Sequence, residues 1–178
     1  TDSSLANIKH GDQLSMLERL YCMMVASGND AAVVIADYMG GGNVSAFVEM
    51  MNALASELGC TNTHFSNPHG LDANDHYTTA NDLAKISQYA LSFPVFEKIC
   101  STTEYSLRAT NVVKEERTLL TTNLILNDQT GYYYEYASGV KTGHTDNAGR
   151  CVISKASKDG YEYLGIIMHA PFQDYTGD

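Results

Sequence analysis

Residues 149–169 read GRCVISKASKDGYEYLGIIMH, two segments rich in Val, Ile and Tyr on either side of a polar turn. These residue types favour extended backbone, and Gly, Asp and Lys between them favour a turn. Three earlier segments have the same character. The sequence therefore predicts strands over residues 102–108, 118–126, 132–141, 149–157 and 161–169.

The chain before residue 101 shows helical spacing instead. Ser15 and Glu18 match a capping box, in which each side chain accepts a backbone N–H of the other residue at a helix start. Apolar residues at helical spacing predict helices over 15–26, 31–39, 43–58 and 79–91, the last closed by Phe93-Pro94, with a turn-rich loop over 61–78.

The order of these segments predicts the fold class. A run of helices followed by strands, without strict alternation, is typical of an α+β fold in which a helical cluster packs on an antiparallel sheet. A length of 178 residues fits one domain of ordinary size. We expect a single domain with a helical part over about 14–100 and a strand-rich part over about 101–170.

Composition restricts the class of partner. Lys and Arg number 11 and Asp and Glu number 21, and the formal charge of −10 argues against nucleic acid or an anionic lipid surface. Arg117 and Arg150 are expected at the surface, where either could face an anionic substrate. The cysteines form no C-x-x-C pair and the histidines no H-E-x-x-H motif, so no metal or cofactor is implied. No segment has the roughly 18 uninterrupted apolar residues of a membrane span, so membrane association is expected only through segments outside this chain.

Two short motifs carry the chemistry that the sequence indicates. Ser27-Gly28-Asn29 lies between two predicted helices, and Lys141-Thr142-Gly143 ends a predicted strand. Taken alone, Ser27 fits a helix cap and Lys-Thr-Gly fits a solvated turn. Together, S-x-N followed by K-T-G on a later strand matches the second and third signatures of the penicillin-recognising serine acyltransferases. Gly143 has no Cβ, which lets a substrate backbone approach closely.

The chain resembles the D-alanyl-D-alanine carboxypeptidases, the low-molecular-mass penicillin-binding proteins, from about Ser3 to His169. Four segments carry the resemblance: IKHGDQLS at 8–15, SGNDAA at 27–32, NPHGLD at 67–72 and GVKTGHT at 139–145. The Asn-Pro-His-Gly-Leu run is associated with these peptidases rather than with the true β-lactamases. The resemblance implies a β-lactamase/transpeptidase-like fold and serine-type removal of the terminal D-alanine from peptidoglycan stem peptides through an acyl-enzyme, with β-lactam antibiotics as acylating agents.

The resemblance also implies a role for each motif residue. Ser27 would pass a proton toward the leaving amine, and Asn29 would hold the substrate amide. Lys141 would hydrogen-bond Ser27 and supply positive potential. Thr142 would receive the terminal carboxylate, and the backbone N–H of His144 would form half of the oxyanion hole.

One family signature, the S-x-x-K motif, is expected outside this chain. The nucleophilic Ser and its general-base Lys belong to an S-x-x-K motif at a helix start, well before Ser27. Only Ser138-Gly139-Val140-Lys141 matches that pattern here, and we reject it because residues i and i+3 of a strand point to opposite faces. We expect the chain to be part of a larger enzyme, incomplete at both ends and inactive alone. Its missing parts would be the nucleophile, the base, half of the oxyanion hole, the first sheet strands and a C-terminal helix. A basic residue is expected after the last strand, where His169-Ala170-Pro171 stands instead.

Two other functions stay open at this point. A β-lactamase shares S-x-N and K-T-G but must hydrolyse its penicilloyl adduct quickly, and nothing here resembles its deacylating Glu region. A non-catalytic penicillin- or peptide-binding sensor module would keep the cleft without the nucleophile. The resemblance implies an extracytoplasmic location in the cell envelope, with the complete protein membrane-anchored or secreted.

Overall fold

A computed structural model describes residues 4–171 of the chain. Within that range five helices come first: α1 (Met16–Met24), α2 (Asn29–Met39), α3 (Val44–Glu57), α4 (Ala80–Leu91) and α5 (Pro94–Cys100). The strands of the same range follow: β1 (Glu104–Leu107), β2 (Arg117–Leu120), β3 (Ala137–Thr145), β4 (Gly149–Lys158) and β5 (Tyr161–Ala170). All strand pairs are antiparallel, so the predicted α+β class is confirmed.

The described strands form two separate sheets. β1 pairs with β2, and β3, β4 and β5 form a three-stranded sheet in that order. β3 is therefore an edge strand within the described residues, and only one of its sides is hydrogen-bonded to a neighbour. Thr142 stands opposite Val152 in this register, and the pairing shifts between Ala137 and Val140.

The main buried cluster joins the first helices to the small sheet. Its most deeply buried members include Cys22 of α1, Val25 just after that helix, Ile99 of α5 and Leu107 of β1. The ring of Tyr21 stacks on a neighbouring tyrosine of β1, with centroids 3.9 Å apart and planes 7° apart. The core therefore lies between α1, α2, α5 and the two-stranded sheet.

The predicted capping box at the start of α1 is confirmed. Ser15 Oγ accepts the Glu18 N–H at 3.2 Å, and Glu18 Oε2 accepts the Ser15 N–H at 2.7 Å. Arg108 Nε donates to Glu18 Oε1 at 2.8 Å, which connects the helix start to the segment after β1. One buried carboxylate thus serves both as a cap and as an ion-pair partner.

Several predicted boundaries differ from those of the structure. Pro94 begins α5 instead of only ending a helix, because the first helical position leaves an N–H unpaired and proline has none to lose. The predicted strand 118–126 ends at Leu120, and the Asn123 side chain then caps a 3-10 helix over Leu124–Leu126. The predicted strand 132–141 begins only at 137, because the backbone of Tyr134 bonds to Ile125 and Ala137 instead of to a neighbouring strand. The prediction that Lys141-Thr142-Gly143 ends this strand is also wrong, because β3 continues to Thr145.

Arg117 is not the surface cation that the sequence suggested, whereas Arg150 is exposed. The Arg117 side chain is only 16% exposed, and its Nη2 donates at 3.1 Å to the fully buried carboxylate of Asp12. Its Nη1 also donates to the Asn7 carbonyl at 3.1 Å. This ion pair ties the N-terminal segment to β2.

Residues 4–171 contain no single membrane-spanning helix and no cluster of metal ligands. No single helix there is long and apolar enough to cross a membrane, and the pair α2 and α3, which together reach that length and composition, is bent by 90°. No group of three or more His, Cys, Asp or Glu side chains in this range is arranged to hold a metal ion. Cys22, Cys60, Cys100 and Cys151 are free thiols.

Replacing Leu107 by Ala tests the core. Leu107 is 0% exposed, so the change removes buried methyl groups and leaves a cavity that the close packing cannot fill. We expect the free energy of unfolding in urea to fall by roughly 2–5 kcal/mol. Leu120→Ala on β2 is the matched control, since Leu120 is 61% exposed and its loss should cost about 0.5 kcal/mol or less. Equal losses in both variants would contradict this account of the core.

Candidate active site

Ser27 lies in the turn between α1 and α2, in a backbone conformation that few serines adopt. Its φ is 56°, in the left-handed region that glycine usually occupies just past the end of a helix. The next residue, Gly28, donates its N–H to the Cys22 carbonyl at 3.1 Å and so closes the end of α1. The Ser27 side chain is therefore carried on a fixed turn rather than on a helix.

The rest of the Ser-Gly-Asn-Asp stretch fixes this turn against the N-terminal segment. Asp30 accepts the N–H groups of Ala6 and Ile8 at 2.9 Å each, and Asn29 donates its N–H to the Ser4 carbonyl at 2.9 Å. A Cβ on Gly28 would lie 2.9 Å from the Ala6 Cβ, closer than carbon atoms pack. Gly28 is therefore required by its neighbours, and Asn29 begins α2 only two positions after Ser27.

Lys141 of β3 reaches this turn from the other half of the chain. Its Nζ donates to Ser27 Oγ at 2.8 Å, although the two residues are 114 positions apart in sequence. It also donates to the carbonyl of Thr142 at 2.9 Å. Ser27 does not cap α2, whose N-cap is Gly28 without a side-chain hydrogen bond. The structure thus brings the serine of S-x-N and the lysine of K-T-G into direct contact.

Burial sets the proton affinity of Lys141. Removal of the amine from water lowers its pKa from 10.5 to about 8, since a charged ammonium loses more solvation than a neutral amine. The Cys100 thiol lies close enough to interact with it, and burial raises the pKa of that thiol to about 12. At neutral pH the site therefore holds a neutral thiol and a mostly protonated amine whose proton is unusually easy to remove.

The position of β3 depends on its contact with the end of α5. A Cβ on Gly139 would lie 2.9 Å from the Cys100 Cβ and 3.2 Å from the Cys100 carbonyl oxygen, and the φ of Gly139 is 131°. Only glycine fits such a close approach in that conformation. Gly139 thus lets β3 press against α5, two residues before Lys141.

The three residues after Lys141 continue β3 and are paired with β4 on one side of the strand. Thr142 is half-buried, whereas Gly143 and His144 are exposed. A Cβ on Gly143 would meet no atom within 4 Å, so the protein's own atoms do not require glycine there. Thr142 Oγ1 lies 2.8 Å from Thr122 Oγ1, in the segment after β2. No local sequence pattern predicts this contact, because the two residues are 20 positions apart.

The loop over residues 67–72 is held together by its own side chains and docks on the β3–β4 hairpin. Asn67 Oδ1 accepts the Gly70 N–H at 2.7 Å, and His69 Nδ1 accepts the Leu71 N–H at 3.2 Å. Asp72 then accepts Thr145 Oγ1–H at 2.7 Å and an Asn147 amide proton at 3.1 Å. His69 therefore shapes the loop, and Asp72 is an anchor that the sequence motif contains but does not explain.

Ser138 does not form an S-x-x-K pair with Lys141. The Ser138 hydroxyl is buried, and it has no hydrogen-bond partner among the described residues. The Lys141 amine is bonded to Ser27 instead. The structure therefore supports the rejection of this match on strand geometry.

An apolar groove among the described residues lies elsewhere. It has a volume of about 390 Å³ between α3, α4 and α5, with Leu54, Ile86 and Phe96 in its wall. None of the motif residues lines it. The contact between Ser27 and Lys141, which joins the two motifs, therefore marks the candidate active site.

Comparison with known proteins finds a matching family and similar sequences. The family model for D-alanyl-D-alanine carboxypeptidase matches residues 1–172. The carboxypeptidase DacD of Escherichia coli is 36% identical over 169 residues, which cover 94% of this chain and 40% of the relative. DacF of Bacillus subtilis is 32% identical over 163 residues, 92% of this chain and 40% of the relative. The chain thus spans about 40% of the length of the curated relatives it matches.

Solved structures give the same picture of the fold. The DD-transpeptidase of Streptomyces K15 superimposes with a TM-score of 0.87 at 30% identity, covering 95% of this chain and 66% of that one. A transpeptidase-like arrangement of helices and sheet is therefore shown for this part of the chain.

The lowered pKa of Lys141 predicts a titration that NMR can detect. We expect the 13Cε signal of this lysine to titrate with a midpoint of about 8, against an ordinary value of 10.5. The signal is assigned by its loss in Lys141→Met. A midpoint near 10.5 would show that the amine is fully hydrated and that the buried contact with Ser27 does not form.

The same shift predicts how stability depends on pH. Between about 8 and 10.5 the unfolded chain keeps the Lys141 proton while the folded protein has lost it, so the free energy of unfolding rises with pH in this window. Below about pH 8 both states are protonated and this group contributes no slope. Denaturant unfolding of the wild type and of Lys141→Met across the window isolates the effect. A difference between them that stays constant or falls with pH contradicts it.

Proposed function

This chain belongs to the D-alanyl-D-alanine carboxypeptidase family, and from that premise we propose that the complete protein removes the terminal D-alanine from peptidoglycan stem peptides through a serine acyl-enzyme. The observation that carries the proposal is the 2.8 Å hydrogen bond from Lys141 Nζ, in the middle of an edge strand, to Ser27 Oγ. β-Lactams would acylate the nucleophilic serine, which belongs to an S-x-x-K motif and is not Ser27. No cofactor takes part in this reaction.

The chemistry divides into acylation and hydrolysis. In acylation a serine oxygen attacks the carbonyl carbon of the penultimate D-alanine, the C–N bond breaks, and the leaving amine takes a proton through the Ser27 hydroxyl. In hydrolysis a water molecule attacks the acyl-enzyme and restores the serine. The nucleophile and its base come from an S-x-x-K helix, and no such helix lies within the described residues.

Lys141 provides two things in this scheme. Its hydrogen bond orients the Ser27 hydroxyl, whose oxygen is then an acceptor for Lys141 and whose own proton is free to move. Its positive charge lowers the energy of negative charge that develops nearby, which is effective because the amine is partly removed from water. A net charge of −10 makes this local cation important for an anionic substrate.

The edge of β3 provides the binding surface. A substrate backbone can add to it as a further strand, because that side of β3 is unpaired among the residues described. The empty space beside Gly143 lets that backbone approach, and the N–H of His144 would be half of the oxyanion hole. Asn29 would hold the substrate amide from the opposite wall, and Thr142 would receive the terminal carboxylate.

The rival functions are less well supported. The family match and the NPHGLD loop, which docks on the β3–β4 hairpin through Asp72, favour a carboxypeptidase over a β-lactamase. A binding module without a nucleophile is distinguished by the residues outside this chain. The relatives imply that the complete protein works outside the cytoplasmic membrane, in the cell envelope.

Substitution of Lys141 in the complete protein tests the proposal. Lys141→Ala removes both the orienting hydrogen bond and the local charge, so acylation by a fluorescent penicillin should slow by about 10²-fold or more. Lys158→Ala is the matched control, because Lys158 is an exposed lysine at the other end of the same sheet. Labelling of Lys141→Ala at a near-normal rate would show that the site is misplaced.

The 178-residue chain by itself should form no covalent adduct with penicillin. It carries Ser27, but in this scheme Ser27 relays a proton and does not attack. Intact-mass measurement after incubation with benzylpenicillin should show an unchanged mass, whereas the complete protein should gain one penicilloyl group. A penicilloyl adduct on the chain alone would prove that its nucleophile lies within residues 1–178.

A further inference from the structure

Two threonine hydroxyls from separate parts of the chain meet beside the proposed site. Thr122 follows β2 of the small sheet, and Thr142 belongs to β3 of the large one, yet their Oγ1 atoms are 2.8 Å apart. Thr122 is exposed and Thr142 is half-buried, so the pair lies at the surface rather than in the core. A hydrogen bond that solvent can reach contributes little to stability, and this one therefore invites a functional explanation.

The backbone around Thr122 is fixed on both sides. Thr121 donates its N–H to the Thr103 carbonyl at 2.8 Å and accepts the Asn123 N–H on its hydroxyl at 3.2 Å. Asn123 is 3% exposed, and its Oδ1 accepts the Ile125 N–H at 3.3 Å to begin the 3-10 helix. The Thr122 hydroxyl is thus presented by a rigid turn, which is what a positioning group needs.

The protons of the two hydroxyls explain what Thr122 does for Thr142. Each hydroxyl has one proton to donate, and a terminal carboxylate only accepts. If Thr122 donates to Thr142, the Thr142 proton is left to point at the carboxylate, and its donor strength is increased by the bond that it accepts. Without Thr122, the Thr142 hydroxyl rotates freely and loses that preference.

We propose that Thr122 is a positioning residue that aims the Thr142 hydroxyl at the terminal carboxylate of the substrate. The inference rests on the function proposed above, because it uses Thr142 as the carboxylate receptor. The strength of the Thr142 hydroxyl as a donor matters because the basic residue expected after the last strand is absent. His169 lies near the end of β5 instead, and its Nδ1 is 3.3 Å from the Ala148 carbonyl. The hydroxyl pair supplies directed donors in place of that charge.

Kinetics of the complete protein test the proposal with Thr122→Val, Thr122→Ser and Thr118→Val. The substrates are a peptide that ends in D-Ala-D-Ala and the same peptide as its C-terminal amide, which has no carboxylate. For Thr122→Val we expect kcat/KM on the free acid to fall roughly five- to tenfold, mainly through KM, with no change on the amide. Thr122→Ser should keep normal values, because it retains the hydroxyl. Thr118→Val replaces an exposed threonine of β2 and controls for general effects on the sheet.

A second substitution shows whether Thr122 acts through Thr142. In a Thr142→Val background, Thr122→Val should cause no further loss, because its partner is already absent. Equal losses on the acid and the amide, or full additivity of the two substitutions, would overturn the proposal. So would kinetics of Thr122→Val that match those of Thr118→Val.

The experiment separates this proposal from the proposed function. If the parent enzyme releases no D-alanine but reacts with benzylpenicillin, which also bears a carboxylate, the carboxypeptidase assignment fails. The same variants then test Thr122 through their acylation rates, with the same five- to tenfold loss expected for Thr122→Val. If the parent does neither, both proposals are overturned.

Discussion

The hydrogen bond between Lys141 and Ser27 is the interaction on which the site depends, because it joins the two halves of the chain. Ser27 is held by the turn between α1 and α2, and Lys141 by a strand that packs against the end of α5. Neither half contains a site alone. Three close approaches make the contact possible: Gly28 against Ala6, Gly139 against Cys100, and the Asp30 side chain against the N-terminal segment.

This arrangement supplies groups that acyl transfer needs and does so with few charges. One partly buried amine faces one hydroxyl, while the strand edge beside them is open for a peptide backbone. Burial weakens the hold of Lys141 on its proton, with a pKa of about 8, and so makes the amine responsive to charge that develops in the cleft. The same burial leaves the neighbouring Cys100 protonated and inert.

Local sequence predicted the helices well, because the capping box at Ser15 and the apolar spacing after it are properties of adjacent residues. It failed where a residue type has two uses. Pro94 follows the end of one helix and also begins another, and the tyrosines at 132–134 have high β-propensity but lie outside any strand. The burial of Arg117 was missed because its partner, Asp12, is 105 positions away.

The motif pair predicted which groups meet, although spacing alone cannot place residues that are over a hundred positions apart. The contact between Ser27 and Lys141 followed from a family resemblance, whereas the contact between Thr122 and Thr142 left no trace in the motifs. Asp72 is intermediate, since it belongs to the recognised loop but its anchoring bonds to the β3–β4 hairpin are long-range. Local patterns therefore predict helices and strands, whereas tertiary packing determines which side chains meet at the site.

The most direct measurement of the central claim is a crystal structure of the complete protein acylated by benzylpenicillin. The account predicts Lys141 Nζ within hydrogen-bond distance of Ser27 Oγ, the drug carboxylate at Thr142, and the acyl oxygen facing the N–H of His144. An acyl-enzyme in which Ser27 and Lys141 are well separated, or in which the drug lies away from the edge of β3, would contradict it.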